Sequence, residues 1–459
     1  MSFRRNMFAR WVSIGLAFAA LTTLAAQPVA AQAILRDAET EAVLREVTRP
    51  LVIAAGLDPR NVEIIVVHDP EINAFVAGGQ VVFINSGLIT AADNANQVQG
   101  VVAHELGHMA GGHAVFDGGA KGAYAVLLLS LLLGIGAVAA GNGGAGAGIL
   151  SSAPEFGARK YFAFSRTQEA TADAAGVKFL DAAHISGRGS LDFFKKLQNL
   201  EYRYYQSHSE EQSYEQTHPL TNDRLTLLAD EYPKSSAWNN TTDPGLEARF
   251  QRVKAKLAGY VNDPTQTLRE YPLSDQSLPA HYARAYAYHR AAYPDKAIAE
   301  VNALVAAKPH DPYFLELKGQ ILLESGKPKD ALVPLREAVA ITEAQPLITA
   351  TFGHALVETE DRTNYPEALR VLRAAVAKDR ENPDAWYSLG VIYDRTGDVP
   401  HAALCTAESA QLERRWPVAL QNAQTAYNGL PRGTPDSIRA QDILLVSKSA
   451  LEKSKKHGH

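Results

Sequence analysis

Four alanines constrain this chain more than any other feature. Ala297, Ala331, Ala368 and Ala402 recur at intervals of 34, 37 and 34 residues, and Ala285, Gly319, Gly353 and Gly390 at 34, 34 and 37. Small residues at that spacing let the two helices of a unit approach closely. A unit of this size cannot bury its apolar face alone, so successive units must stack into a solenoid whose core lies between them.

In the fourth unit Trp386, Leu389, Gly390 and Tyr393 match W-x2-L-G-x2-Y, the tetratricopeptide pattern. Residues 278–412 are therefore read as an all-α tetratricopeptide-repeat solenoid with a surface for partners, and 413–459 as C-terminal helices and a basic tail. The third unit gains three residues near Arg362–Asn364, expected in the turn between its helices. The single cysteine, Cys405, falls inside a repeat helix and reads as a small buried hydrophobe. One cysteine excludes an intrachain disulfide and a cysteine-based zinc ribbon.

The other end carries an export pattern. Arg4, Arg5 and Arg10 precede the apolar run Trp11–Leu24, and Ala31-Gln32-Ala33 fits the small-x-small rule for signal-peptidase cleavage. Residues 1–33 are expected to be a signal peptide, with a retained anchor as the alternative, and the mature chain to act in a bacterial periplasm. A net charge of −5 over 459 residues gives no electrostatic footprint for nucleic acid.

Residues 34–232 read as an α+β domain, mostly helical with a small β-sheet. Helices are expected over 38–57, 97–114, 159–182 and 190–206, a strand over 62–67, and two strands within Ile72–Ile89 around Gly78-Gly79. The polar stretch 233–277 reads as a linker. The 97–114 helix contains His104-Glu105-Leu106-Gly107-His108. Two histidines four apart share a helix face, so both imidazoles reach one metal, and Glu105 beside them reaches a water molecule. A catalytic zinc takes three protein ligands. The frame H-E-x-x-H-x-x-G-x-x-H would put a third histidine at position 114, which is Ala114; His113 falls one residue early and is read as supporting or structural. The other option is a carboxylate from a second helix. Glu169 and Asp173 lie four apart on one predicted face, where Glu169 can ligate and Asp173 can hold the far ring nitrogen of a ligating histidine. A solvated helix face is the plain alternative for that pair.

Taken together, HELGH, SRTQEATAD and THPLTNDR resemble the zinc metallopeptidases related to HtpX and the CAAX prenyl proteases. With the export signal and the repeats, the resemblance narrows to the periplasmic branch that assists β-barrel assembly, and it covers nearly all of residues 38–430. It implies a gluzincin fold with one zinc ion per subunit, held by His104, His108 and Glu169, and Glu105 as the base. It implies endopeptidase and chaperone action on misfolded outer-membrane proteins, and partnership with the outer-membrane β-barrel assembly machinery through the repeats. By the same resemblance His218, with Arg224 nearby, belongs to a regulatory loop that approaches the zinc and holds the enzyme latent. The strand around Asn73, Ala74 and Phe75 is expected to be an edge that pairs with extended substrate.

An uncharged stretch, 122–154, separates the two predicted zinc helices, and its part Ala123–Ala140 is long and apolar enough to cross a bilayer. One crossing would part His108 from Glu169, so the stretch is read as a lid in peripheral contact with a membrane or a barrel substrate, with internal packing as the alternative. The alternative function is a non-proteolytic or latent chaperone scaffold.

Overall fold

The computed structural model describes residues 33–77, 80–113, 166–205, 218 and 221–457. Residues 1–32 of the expected signal peptide 1–33, Gly78-Gly79 and the apolar stretch 122–154 lie outside the described residues, while Ala33 begins the first strand.

Helix α1 (Ala38–Ala54) opens on Asp37, whose carboxylate accepts the Thr40 N–H at 2.7 Å, with Glu39 and Glu41 in the first turn. That cap satisfies one orphan donor, and the acids favour the positive helix end. The sheet has the order β1 (Ala33–Leu35), β2 (Glu63–His68), β4 (Val81–Asn85), β3 (Ala74–Ala77). Strands β2 and β4 run parallel, while β1 on β2 and β3 on β4 are antiparallel, with Phe75 opposite Phe83. The second expected strand ends early: Ser86–Ala91 is helix α2 rather than strand. The cause is local. The Ser86 hydroxyl donates to the Asp69 carbonyl at 2.9 Å, and a Cβ on Gly87 would lie 2.1 Å from the Pro70 oxygen, so the chain turns against the 69–71 backbone.

Helix α3 (Ala95–Ala110) is the centre of the domain. Val98, Val101, Val102 and Leu106 pack with Leu44, Val47, Leu180, Phe193 and Phe194 in one apolar core. Helices α4 (Arg166–Ala182), α5 (Arg188–Tyr205) and α6 (Asn222–Glu231) follow. The linker expected over 233–277 is instead largely helical, with α7 (Pro244–Val261) and α8 (Pro264–Glu270). Phe250, Val253 and Leu257, at helical spacing, bury one face of α7 in the same core as Val47 and Val98, and that narrow apolar stripe was hidden in a polar composition.

The repeats are helix pairs: α9 (Leu278–Arg290) with α10 (Pro294–Ala307), α11 (Pro312–Glu324) with α12 (Pro328–Ile341), α13 (Pro346–Glu358) with α14 (Tyr365–Lys378), and α15 (Pro383–Arg395) with α16 (Val399–Leu412). Helices α17 (Trp416–Gly429) and α18 (Pro435–His457) end the chain's described part. Each repeat helix carries proline in its first turn, where the missing N–H removes no helical bond. The three inserted residues, Arg362–Asn364, form a short 3-10 turn between α13 and α14. Cys405 is buried beside Gly390. Among the described residues no helix is long and apolar enough to cross a membrane.

The periodic small residues mark contact points. A Cβ on Gly353 would lie 2.5 Å from the Leu372 side chain of the paired helix. Gly353→Leu is therefore expected to overpack the α13–α14 pair and cost about 1–3 kcal/mol, read as a lower urea midpoint by circular dichroism; an unchanged midpoint would show that the pair can spread freely.

Candidate metal centre

Three segments of chain meet at the centre. Helix α3 supplies His104, Glu105 and His108, helix α4 supplies Glu169 and Asp173, and His218 and Arg224 arrive from beyond α5; all seven are buried. Helices α3 and α4 touch backbone to backbone, since a Cβ on Gly107 would lie 2.5 Å from the Ala172 carbonyl oxygen. Glycine between the two histidines thus brings α4 close enough for Glu169 to reach both rings.

One ligand atom from each of His104, His108, Glu169 and His218 falls within 4.8 Å of the others. His104 Nε2 and His108 Nε2 are 3.1 Å apart. Glu169 Oε2 lies 3.3 Å from His104 Nε2, and Oε1 lies 3.2 Å from His108 Nε2. His218 Nδ1 is 3.4 Å from His104 Nε2 and 3.1 Å from Glu169 Oε1. Two imidazole nitrogens whose lone pairs face each other at this distance repel unless a proton or a cation lies between them. Donors about 2.0–2.1 Å from one tetrahedral ion stand about 3.3 Å apart, so the spacing fits a metal ion held by nitrogen and carboxylate ligands. The neighbouring Glu105 is fully buried, and neither carboxylate oxygen has a hydrogen-bond partner among the described residues; His218 Nε2 lies 3.5 Å from its Oε1.

Further contacts hold these groups. His104 Nδ1 lies 2.9 Å from Asp173 Oδ1. Arg224 bridges the carboxylates of α4, with Nε 2.7 Å from Asp173 Oδ2 and Nη1 2.7 Å from Glu169 Oε2. The Phe194 and His104 rings pack nearly perpendicular, with centroids 6.0 Å apart. Arg224 was expected on a regulatory loop; it sits instead in the first turn of α6, capped by Thr221. Its grip on Asp173 leaves no mark in the sequence, because the partner is 51 residues away. Strand β3, with Ala74 and Phe75, is the last strand of the sheet among the described residues, and Ala74 is buried; Asn73 precedes it, also buried, accepting the Asn85 N–H at 2.9 Å through its carbonyl.

Burial and charge pull the protonation states apart. Burial lowers the pKa of the His104 ring, but Asp173 and Glu169 outweigh it and raise that pKa to about 10. Burial carries His108 down to about 3, only partly opposed by Glu169. Burial raises the Glu105 carboxyl. Burial also works against the Glu169 and Asp173 carboxylates, but the histidines around Glu169, and Arg224 and His104 around Asp173, hold both below the usual carboxylate range.

A depressed folded pKa means that the Asp173–Arg224 pair adds stability above the unfolded value near 3.9 and loses it as pH falls through the folded value. Arg224→Met strands buried carboxylates, and breaking such a pair costs about 3–5 kcal/mol. We expect the variant's thermal midpoint to fall well below wild type at pH 7 and to converge with it below the carboxylate range. A constant gap across pH would assign the loss to packing.

Comparison with known proteins agrees with this geometry. Residues 38–231 match the model of Peptidase family M48, and residues 280–346 and 360–419 match a tetratricopeptide-repeat model. The chain is 25% identical over 339 residues to the beta-barrel assembly-enhancing protease of Escherichia coli (strain K12), covering 70% of this chain and 65% of that protein. A Vibrio cholerae relative of the same name is 24% identical over 371 residues, 77% of this chain and 73% of its own. A solved tetratricopeptide-repeat protein, YrrB, aligns at 23% identity over 39% of this chain and 92% of its own length, with a TM-score of 0.32. The chain thus carries a domain of Peptidase family M48, a metallopeptidase family, followed by tetratricopeptide repeats.

Proposed function

We propose that this protein is a zinc endopeptidase of the periplasm that cleaves misassembled outer-membrane proteins, with its repeats recruiting clients or the β-barrel assembly machinery. The observation that carries the reading is the buried convergence of His104, His108 and Glu169 beside an unbonded Glu105 carboxylate. The relatives' names support the substrate class, and the export pattern of residues 1–33 supports the compartment. We divide the chain into a signal peptide, a peptidase domain over 34–232 and repeats over 278–412. Within the intervening 233–277, α7 adds Phe250, Val253 and Leu257 to the peptidase core, while Leu268 of α8 packs against the first repeat.

In this reading His104, His108 and Glu169 hold one zinc ion. When bound, zinc polarises the scissile carbonyl and lowers the pKa of a water to about 7. Glu105 takes the proton of the attacking water and returns it to the leaving nitrogen. Asp173 fixes His104 through Nδ1, and Arg224 keeps Asp173 and Glu169 ionised and aligned. Extended substrate is read along the sheet near Asn73, Ala74 and Phe75, where main-chain bonds give the sequence tolerance that a protease of misfolded chains needs.

His218 favours a second, compatible reading of latency. Its Nδ1 stands within the donor cluster, and its Nε2 stands 3.5 Å from Glu105. In that position it would offer the metal a further nitrogen donor beside His104, His108 and Glu169 and would keep water from Glu105 until a client or partner draws it away. A permanently latent chaperone is the limit of this reading.

Zinc content and casein cleavage test both. Wild type and Glu105→Gln should each hold one zinc per chain, with cleavage reduced about 10²–10⁴-fold in the variant; equal cleavage in both would remove Glu105 from the chemistry. His218→Ala should keep its zinc and cleave casein faster than wild type. Unchanged cleavage and zinc would end the latency proposal.

A further inference from the structure

His113 is the one histidine of the centre to which the ligand set gives no role. It lies five residues after His108, and the two Nδ1 atoms are 3.0 Å apart, with ring centroids at 5.1 Å. The end of α3 is built to deliver it there. The His113 N–H bonds back to the His108 carbonyl at 3.0 Å, the Gly112 N–H bonds to the Met109 carbonyl at 3.1 Å, and Gly112 has φ +66°. These are the two bonds and the left-handed residue of a Schellman stop, which sets the second residue past the cap against the third from the helix end. An apolar pair usually fills that contact; here it is a pair of imidazoles. Gly111 makes room, since a Cβ there would lie 2.6 Å from His113 Nε2. One glycine supplies the backbone sign and the other the space, and both serve to seat this ring.

We propose that His113 is a positioning residue for His108: it accepts the Nδ1–H of His108 through its own Nδ1, which fixes the tautomer that turns the His108 Nε2 lone pair into the donor cluster. The direction of the bond follows from the two ends of one ring. His108 Nε2 faces His104 Nε2 and Glu169 Oε1, so as a neutral ligand His108 must carry its hydrogen on Nδ1. His113 then carries its own on Nε2, over Gly111. The two histidines of α3 are thus held differently, His104 by the carboxylate of Asp173 and His108 by a neutral imidazole, and outer partners of this kind set metal affinity.

This proposal rests on the zinc reading, and one experiment separates the two. The affinity of zinc-free, full-length protein for zinc is measured by chelator competition in wild type, His113→Asn and His113→Phe. Asparagine places an acceptor where Nδ1 stood, while phenylalanine keeps the ring contact and removes the acceptor. We expect His113→Asn to stay near wild type and His113→Phe to bind about 10–100-fold more weakly. If phenylalanine binds zinc as tightly as wild type, or asparagine as weakly as phenylalanine, the positioning role is overturned and the zinc reading stands. If wild type itself binds no zinc, both fall.

Discussion

Helices α3 and α4 meet at Gly107 and Ala172 with no side chain between their backbones, and the centre depends on that contact. Helices separated by ordinary side chains run about 8–10 Å apart. At that distance a glutamate can approach one imidazole of the facing helix but not lie 3.2–3.3 Å from two of them, as Glu169 does. Gly176 repeats the device a turn later, facing the Ala103 backbone. The core of α3, from Val98 to Leu106, then fixes the helix so that the close crossing persists.

Closeness has an electrostatic consequence. Glu105, Glu169 and Asp173 bring three carboxylates out of water, and Arg224 is the only guanidinium paired with them among the described residues. Two negative charges are left to balance. A divalent cation would balance them; without one, burial pushes the Glu105 pKa up, and Asp173 and Glu169, against burial, push the His104 pKa up, both toward the protonated forms. A metal held by these groups would have to displace such protons, so binding and proton release would be coupled. Arg224 holds Asp173 and Glu169 with a fork that a lysine would not reproduce.

What the sequence made legible is whatever obeys a short period. His104, Glu105 and His108 lie within five residues, Glu169 and Asp173 within another five, and the repeats announce themselves at intervals of 34 and 37; the fold and the side chains that converge were readable from these. What it hid is long-range or conditional. Arg224 finds its partners 51 and 55 residues upstream. The turn at Ser86–Ala91 depends on the Asp69 and Pro70 carbonyls, which no window over Ile72–Ile89 includes. Helix α7 buries so narrow an apolar stripe that composition reads as linker. His113 was in view but misaligned with the metal-ligand frame, and only the stop geometry at Gly111-Gly112 shows that its offset is the right one for touching His108.

The start of α1 ties the two halves together. Arg36 Nη2 lies 3.1 Å from Asp379, Ala38 packs with Leu315, Ala338 and Ile348, and Asp37 pairs with Lys256 of α7. Glu39, fully buried, takes the Arg252 guanidinium and the Tyr282 hydroxyl, and Arg252 reaches on to Asp311. Two turns later the same helix gives its Val47 carbonyl to Gln99 of α3, one turn before His104. Charges buried this way are costly to part, about 3–5 kcal/mol for one broken pair. The repeats and α3 are therefore anchored to the start and the middle of one helix, so the placement of the candidate metal centre and that of the repeats share a single support.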